Sequence, residues 1–343
     1  MNAPHAVARL TVRSAVPRDS DAIRAFVARH PDATPFHLPA WSAGVERGCG
    51  ARGHCLLAED GRGAIAGLLP LTEVHSRLFG SAMVSAGFGV GGGILGGGVD
   101  PLAEGAWSLA RRRGCASVEL RGGPVPEGWA RREGVYANFE RELPSGDDAI
   151  LAAIPRKQRA EVRRALGLGL EVQVGRDLDA HYRVYAESVR NLGTPVFPPT
   201  LFASVLDAFG EDADILTVSR GGVPLASVLS LYFRDTVYPY WGGGTALARP
   251  ARANEMLYYA LMRHAARRGC TRFDFGRSKI GTGAFAFKRN WGFEPRPLVY
   301  AAKGKARETN PLSPRYRLQV AAWKKLPLWL ANRLGPPIAR GLG

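Results

Sequence analysis

Apolar positions along this chain switch repeatedly between helical and strand spacing. Between Arg18 and Arg29, the residues Ala22, Ile23, Phe26 and Val27 recur at three- and four-residue intervals behind Asp19 and Ser20, which predicts a capped helix. A second short helix is predicted over Pro39–Arg47. Cys55–Ala58 and Ala64–Val74 read as strands of a hairpin turned at Asp60-Gly61. Pro101–Arg113 predicts a helix that stops at Gly114, and Ala116–Arg121 the next strand. The same order then returns. Asp179–Leu192 and Pro199–Phe209 predict helices; Ile215–Ser219 and Val223–Arg234 predict strands turning at Gly221-Gly222. Thr236–Trp241 follows as a strand, Asn254–Arg268 as a helix and Thr271–Gly276 as a strand.

Local strings support the recurrence. Thr34-Pro35-Phe36-His37-Leu38-Pro39 matches Thr194-Pro195-Val196-Phe197-Pro198-Pro199. Ala66-Gly67-Leu68-Leu69-Pro70-Leu71 matches Ala226-Ser227-Val228-Leu229-Ser230-Leu231, and Arg112-Arg113-Gly114-Cys115 matches Arg267-Arg268-Gly269-Cys270. Three matches in one order, about 160 residues apart, are too widely spaced for a solenoid and fit a duplicated domain. Mixed strands and helices in this order predict an α+β unit with a central, mostly antiparallel sheet flanked by helices. The divisions expected are 1–146 for the first copy, 147–300 for the second with the reaction site, and 301–343 for a basic tail.

Composition narrows the partners. The chain has 343 residues, with 46 Lys and Arg against 30 Asp and Glu, a net charge of +16. Such an excess attracts polyanions: nucleic acid, nucleotide phosphates or an anionic membrane face. Cys49, Cys55, Cys115 and Cys270 form no C-x-x-C pair, so reduced core thiols are expected and no metal site. The N-terminal stretch has no apolar core of a secretory signal. Leu78–Val99 is an uncharged run long enough to span a bilayer, but nine of its 22 residues are glycine. It reads as strand plus glycine-rich loop, and a cytoplasmic location follows.

Several residues are candidates for chemistry. Asp274 alternates with Phe273 and Phe275, so on a strand it faces away from two core aromatics; a carboxylate there can orient an amine or take its proton. Glu119 holds the equivalent position in the first copy, which suits a structural role as well. Between the copies, Asp147 and Asp148 can cap a helix that Pro155 interrupts. The following segment carries Arg156, Lys157, Arg159, Arg163 and Arg164 against Glu161. Lys157, Arg159 and Arg163 are the candidates for phosphate binding, with a solvated interdomain helix as the alternative. Tyr238 and Tyr240 share a face of their strand, lining a substrate channel or a sheet core. The loop Gly242–Asn254 leads into a helix whose first amides can bind phosphate. His37 and His181 have no Ser or Cys at a readable spacing, so no nucleophilic triad is expected. The last 43 residues hold nine Lys and Arg against one Glu, half of the net charge. Arg315–Trp329 mixes Leu318, Val320, Trp323, Leu326, Leu328 and Trp329 with Arg317, Lys324 and Lys325. This pattern suits an anionic membrane surface, with packing on the protein body as the alternative, and Pro327, Pro336 and Pro337 argue against a long packed helix.

Phe273-Asp274-Phe275-Gly276-Arg277-Ser278, followed by Gly281, Gly283 and Phe287-Lys288-Arg289-Asn290-Trp291-Gly292, resembles the signature of FemAB-like proteins, tandem acyltransferases of the GNAT superfamily. Pro155–Ala165 resembles the basic stretch between that family's domains. Asn310–Arg317 with Leu334-Gly335-Pro336 is similar to a subfamily associated with exosortase and exopolysaccharide loci in Gram-negative bacteria. The resemblance implies two tandem GNAT-like domains and transfer of an acyl or aminoacyl group to an amine of an envelope or exopolysaccharide precursor. It implies no tightly bound cofactor, with aminoacyl-tRNA or acyl-CoA as co-substrate. It places Lys288 at the reaction site, where its substitution should lower transfer without lowering the melting temperature, and Phe287 on the acyl pocket. Coenzyme-A-dependent relatives carry R/Q-x-x-G-x-G/A before the helix; here Arg249 and Arg252 stand with Arg252 in the place of the first glycine. An acetyl-CoA-dependent N-acetyltransferase and a non-catalytic membrane-surface adaptor are the alternative functions. The location implied is cytoplasmic with peripheral association at the inner membrane.

Overall fold

The computed structural model describes residues 10–305, 307 and 316–343. The N-terminal stretch 1–9 and the motif residues Asn310–Arg315 lie outside the described residues. The chain forms two compact units.

The first unit opens with strand β1 (Thr11–Ser14) and helices α1 (Ser20–Arg29) and α2 (Pro39–Cys49). Pro39 begins α2, where a missing N–H costs nothing, and Gly50 ends it in the left-handed conformation at φ +69°. Then come β2 (Gly53–Glu59), β3 (Ile65–Ser76), β4 (Gly80–Ser85), the short β5 (Leu95–Gly96), α3 (Val99–Arg112), β6 (Ser117–Arg121) and β7 (Ala130–Arg132). Helix α3 buries Leu102, Ala103, Ala106, Leu109 and Ala110, a stripe at three- and four-residue spacing. It covers Leu56, Leu69, Leu71, Met83 and Val118 of the sheet. Each such leucine contributes about 1.5–3 kcal/mol through burial.

The second unit holds β8 (Tyr136–Glu142), α4 (Asp147–Ala153), α5 (Arg156–Leu166), β9 (Glu171–Gly175), α6 (Leu178–Leu192) and α7 (Pro199–Phe209). It continues with β10 (Ala213–Arg220), β11 (Val223–Phe233), β12 (Thr236–Gly244), α8 (Ala253–Arg267), β13 (Arg272–Lys279), α9 (Gly283–Asn290) and β14 (Pro295–Pro297). After these the chain forms β15 (Tyr300–Gly304), α10 (Arg317–Lys324) and α11 (Leu328–Ala339). The core of the second unit gathers Phe139, Leu257, Phe273, Phe275, Trp291 and Phe293.

The two sheets have the same plan. The main path of the first is β1-β2-β3-β4-β6-β15-β7, and the second runs β9-β10-β11-β12-β13-β8-β14. Each contains one parallel pair, β4 with β6 and β12 with β13; every other pairing is antiparallel. The duplication read from the sequence is therefore structural. The sixth strand of each sheet comes from the other copy: β8 ends the first repeat yet pairs with β13, and β15 ends the second yet pairs with β6. The chain consequently divides at Arg132/Glu133, not at 146/147, and β15 returns to the first unit with the final three residues. A boundary drawn from sequence offset misses this, because offset reports which copy a strand descends from and not which sheet it joins.

Leu78–Val99 contains β4, a loop and β5, and ends at the first residue of α3. No helix among the described residues is long and apolar enough to cross a membrane. All four cysteines are free. Pro155 separates α4 from α5, but Asp147 and Asp148 occupy the first turn of α4 behind Gly146. In the tail, α11 runs through Pro336 and Pro337, against the expectation that prolines would cut it short. Its buried stripe of Ala331, Gly335 and Ala339 explains the tolerance, since small residues let the helix lie close to the body: a Cβ on Gly335 would meet the backbone N of Val196 at 3.0 Å. Arg190 of α6 ties the tail down, donating to the Leu326 carbonyl at 3.2 Å.

Candidate active site

The second sheet opens between its parallel strands. β12 and β13 pair only at Thr236 with Arg272 and Val237 with Phe273. No further pair joins them, although β12 runs on to Gly244 and β13 to Lys279. Both strands bulge just past that point. In β12 the partners of β11 step from Pro239 to Trp241, leaving Tyr240 as the extra residue. In β13 the partners of β8 step from Asp274 to Arg277, with Gly276 at φ +68° making the bend. The expectation that Tyr238 and Tyr240 share a face assumes unbroken alternation, which the bulge interrupts at Tyr240. Tyr238 and Trp241 stand opposite Leu231 and Leu229, and the inserted residue breaks the alternation.

Asp274 and Lys288 meet this gap. The Asp274 Oδ1 accepts the Gly276 N–H at 2.8 Å. Burial pushes its carboxyl up to about 6, with the neighbouring Glu140 adding to the rise and an Asn138 hydrogen bond and the Lys288 charge opposing it. Lys288, on α9, is buried. Its Nζ donates to the carbonyls of Gly276 and Arg277, each at 2.9 Å, so it braces the bulge of β13 from behind. Burial lowers its ammonium to about 7, opposed by Asp274. Two committed donors make Lys288 first a positioning group and only second a source of positive potential. Phe287 is half-buried against Tyr258 and Trp291, at ring separations of 5.5 and 6.1 Å.

The remaining candidates are scattered. Lys157 and Arg163 are exposed on α5, whereas Arg159 folds back to donate to the Ala152 carbonyl at 3.2 Å. Arg249 is exposed. Arg252 sits at φ +53° before α8 and is paired with Glu161 at 2.6 Å. The loop ahead of α8 uses its amides internally: Ala248 N bonds Thr245 O, Arg252 N bonds Arg249 O and Ala253 N bonds Ala248 O. Ala246 N is held by the Glu187 carboxylate at 2.8 Å. Such a loop presents a carboxylate where a phosphate cradle needs open donors.

Sequence reading missed Asn138 and Glu140, which reach Asp274 from the exchanged strand β8, and Tyr258. A Cβ on Gly242 would come 3.1 Å from the Tyr258 hydroxyl. It also missed that His181 Nδ1 lies 3.0 Å from Ser227 Oγ, with Thr217 Oγ1 3.0 Å beyond. His181 and Ser227 are fully buried, and burial lowers the imidazole to about 3, so this chain is a neutral core network. His37 is likewise structural, between Thr34 and the Gly93 carbonyl.

The parallel pair of the first unit is as short, joined at Met83 with Val118 and Val84 with Glu119, but β4 ends at Ser85 and the space past it is filled. Arg121, which stands where the repeat puts Gly276, is buried, donating to the Gly89 carbonyl at 2.9 Å and pairing with Glu119 at 2.9 Å. The loop between β4 and α3 lies against it, and Gly93 is so close that a Cβ there would be 1.9 Å from the Gly122 carbonyl oxygen.

Residues 155–289 match the acetyltransferase (GNAT) domain family. No curated protein matches the chain in sequence. Among solved structures, the fold is similar to FemX, at 15% identity and TM-score 0.64, covering 84% of this chain and 96% of that one. It is similar to a tandem GNAT protein from the clavulanic acid biosynthesis pathway, at 13% identity and TM-score 0.56, covering 86% and 98%. It also resembles the C-terminal domain of a putative lysylphosphatidylglycerol synthetase from Agrobacterium fabrum, at 15% identity and TM-score 0.53, covering 89% and 94%. The fold is therefore two tandem GNAT-like domains.

Proposed function

We propose that the protein is an N-acyltransferase whose second unit carries the reaction and whose first unit is a filled, structural copy. The observation that carries this reading is the contrast between equivalent openings: Gly276, Asp274 and Lys288 in one, Arg121 locked to Glu119 and Gly89 in the other. In the second unit, the acceptor amine attacks the donor carbonyl. Asp274, ionised at neutral pH with its carboxyl near 6, takes the amine proton and returns it to the leaving oxygen or sulfur. One C–N bond forms and one C–O or C–S bond breaks. The Lys288 ammonium adds positive potential as negative charge grows on the carbonyl oxygen.

The donor we favour is an aminoacyl ester on tRNA. The Glu187 carboxylate at Ala246 N and the Arg252–Glu161 pair oppose a coenzyme A pyrophosphate before α8. Exposed Lys157, Arg163 and Arg249 suit a nucleic-acid backbone. The acceptor is an amine of a cell-envelope or exopolysaccharide precursor, in line with the sequence motifs. An acyl thioester is the second reading, favoured by the acetyltransferase family match over 155–289. The test is transfer from labelled aminoacyl-tRNA or acetyl-CoA to envelope-precursor amines. Transfer from the first and not the second is expected; the reverse assigns the thioester, and transfer from neither overturns the enzyme reading in favour of a non-catalytic role. Asp274→Asn should lower kcat about 100-fold and remove the rise in kcat/KM near pH 6. An unchanged pH profile would remove Asp274 from the proton path.

A further inference from the structure

The tail supplies a second, separate surface. Helices α10 and α11 pack on α6 through one side only. On α11 the buried stripe Ala331, Gly335 and Ala339 faces the body. At about 100° per residue, Trp329, Arg333 and Arg340 project within about 60° of the opposite direction. Trp329 is 68% exposed, Leu318 of α10 79% and Leu334 44%. Leu192, 69% exposed at the end of α6, precedes Gly193, against which Val320 and Lys324 rest. Arg317, Lys324 and Lys325 of the same tail are exposed as well. From residue 316 to 343 the chain has five Lys and Arg and not one Asp or Glu.

The geometry points to a docking surface for a bilayer bearing anionic phospholipid headgroups. A tail segment that is cationic without any acidic residue complements a negative leaflet. Its exposed tryptophan and leucines decide between lipid and other polyanions. RNA would reward the charges alone and leave Leu318, Leu192 and Leu334 in water, whereas an interface between headgroups and acyl chains takes both. The packed inner side keeps α10 and α11 on the body, so docking needs no rearrangement of the helices. This surface is independent of the acyl-transfer reading.

The experiment is flotation of the full chain with vesicles of phosphatidylcholine alone or containing about a third phosphatidylglycerol. Binding is expected only to the anionic vesicles, weakening with salt and accompanied by a blue shift of tryptophan emission. Lys324→Glu with Lys325→Glu should weaken binding at least roughly 25-fold, about fivefold for each lysine charge lost. Trp329→Ser should weaken it and reduce the blue shift, with the melting temperature unchanged because the ring is exposed. Equal binding to neutral vesicles, or anionic binding indifferent to all three substitutions, would overturn the proposal. So would retention of tRNA by Lys324 and Lys325 with no binding to either vesicle.

Discussion

Lys288 shows how much a single side chain's role depends on its partners. Its place after Phe287 suggested a charge that could be removed without loss of stability. With both Nζ bonds ending on the Gly276 and Arg277 carbonyls, Lys288→Ala leaves those oxygens without their donor and should destabilise the chain by about 2 kcal/mol. It should also give the wild type a distinctive pH response. An ammonium lowered from 10.5 to about 7 binds fewer protons folded than unfolded between those values, so its contribution to stability rises with pH across that window. The melting-temperature difference between wild type and Lys288→Ala should therefore widen from pH 7 towards 10; a constant difference would show that Lys288 is not buried as a neutral amine. The Asp274 carboxyl has the opposite sign. Raised from 3.8 to about 6, it penalises the fold progressively as pH climbs through that range, so Asp274→Asn should not lower the melting temperature at pH 7.

At the scale of elements, glycine separates fixed from adjustable approaches. Gly67 of β3 lies under the first unit's loop, where an added Cβ would sit 2.0 Å from the backbone oxygen of Gly97. Backbone cannot yield cheaply, so Gly67→Ala should cost about 3 kcal/mol, measured by denaturant unfolding. Gly105 of α3 would meet only side-chain ends, Val12 Cγ1 at 3.2 Å and Leu56 Cδ1 at 3.3 Å, which can shift by a few tenths of an ångström, so Gly105→Ala should cost much less. Similar costs at both positions would contradict the close backbone packing of that loop. Helices and long strands were legible because α7, β11 and α8 carry strong periodicity and clear punctuation. The strands β1, β9, β14 and β15 were not, because they are short or lack alternation. The bulge at Tyr240 was invisible for another reason: it changes pairing with β11 while leaving the local residue pattern intact.

For the molecule as a whole, the exchanged sixth strands govern how the chain can be divided. A fragment beginning at Glu133 keeps β8 beside β13 and should melt cooperatively. One beginning at Asp147 leaves the edge of β13 and all of β14 without their partner, and should aggregate. Comparable melting of the two fragments would mean that β8 contributes little to the second unit.

Residue order alone determined that one α+β unit occurs twice, that the second copy holds the informative Asp274 and Lys288 motif, and that half of the positive charge lies in the tail. These follow from local periodicity, internal similarity and composition, which survive in a linear string. Only the folded chain decided that β8 and β15 change places, that Arg121 is locked to Glu119 and Gly89 where the second copy bends at Gly276, that His181 meets Ser227, and which tail residues face water. Each of these is a contact between positions far apart in the chain, fixed by packing and burial, and no local pattern encodes it.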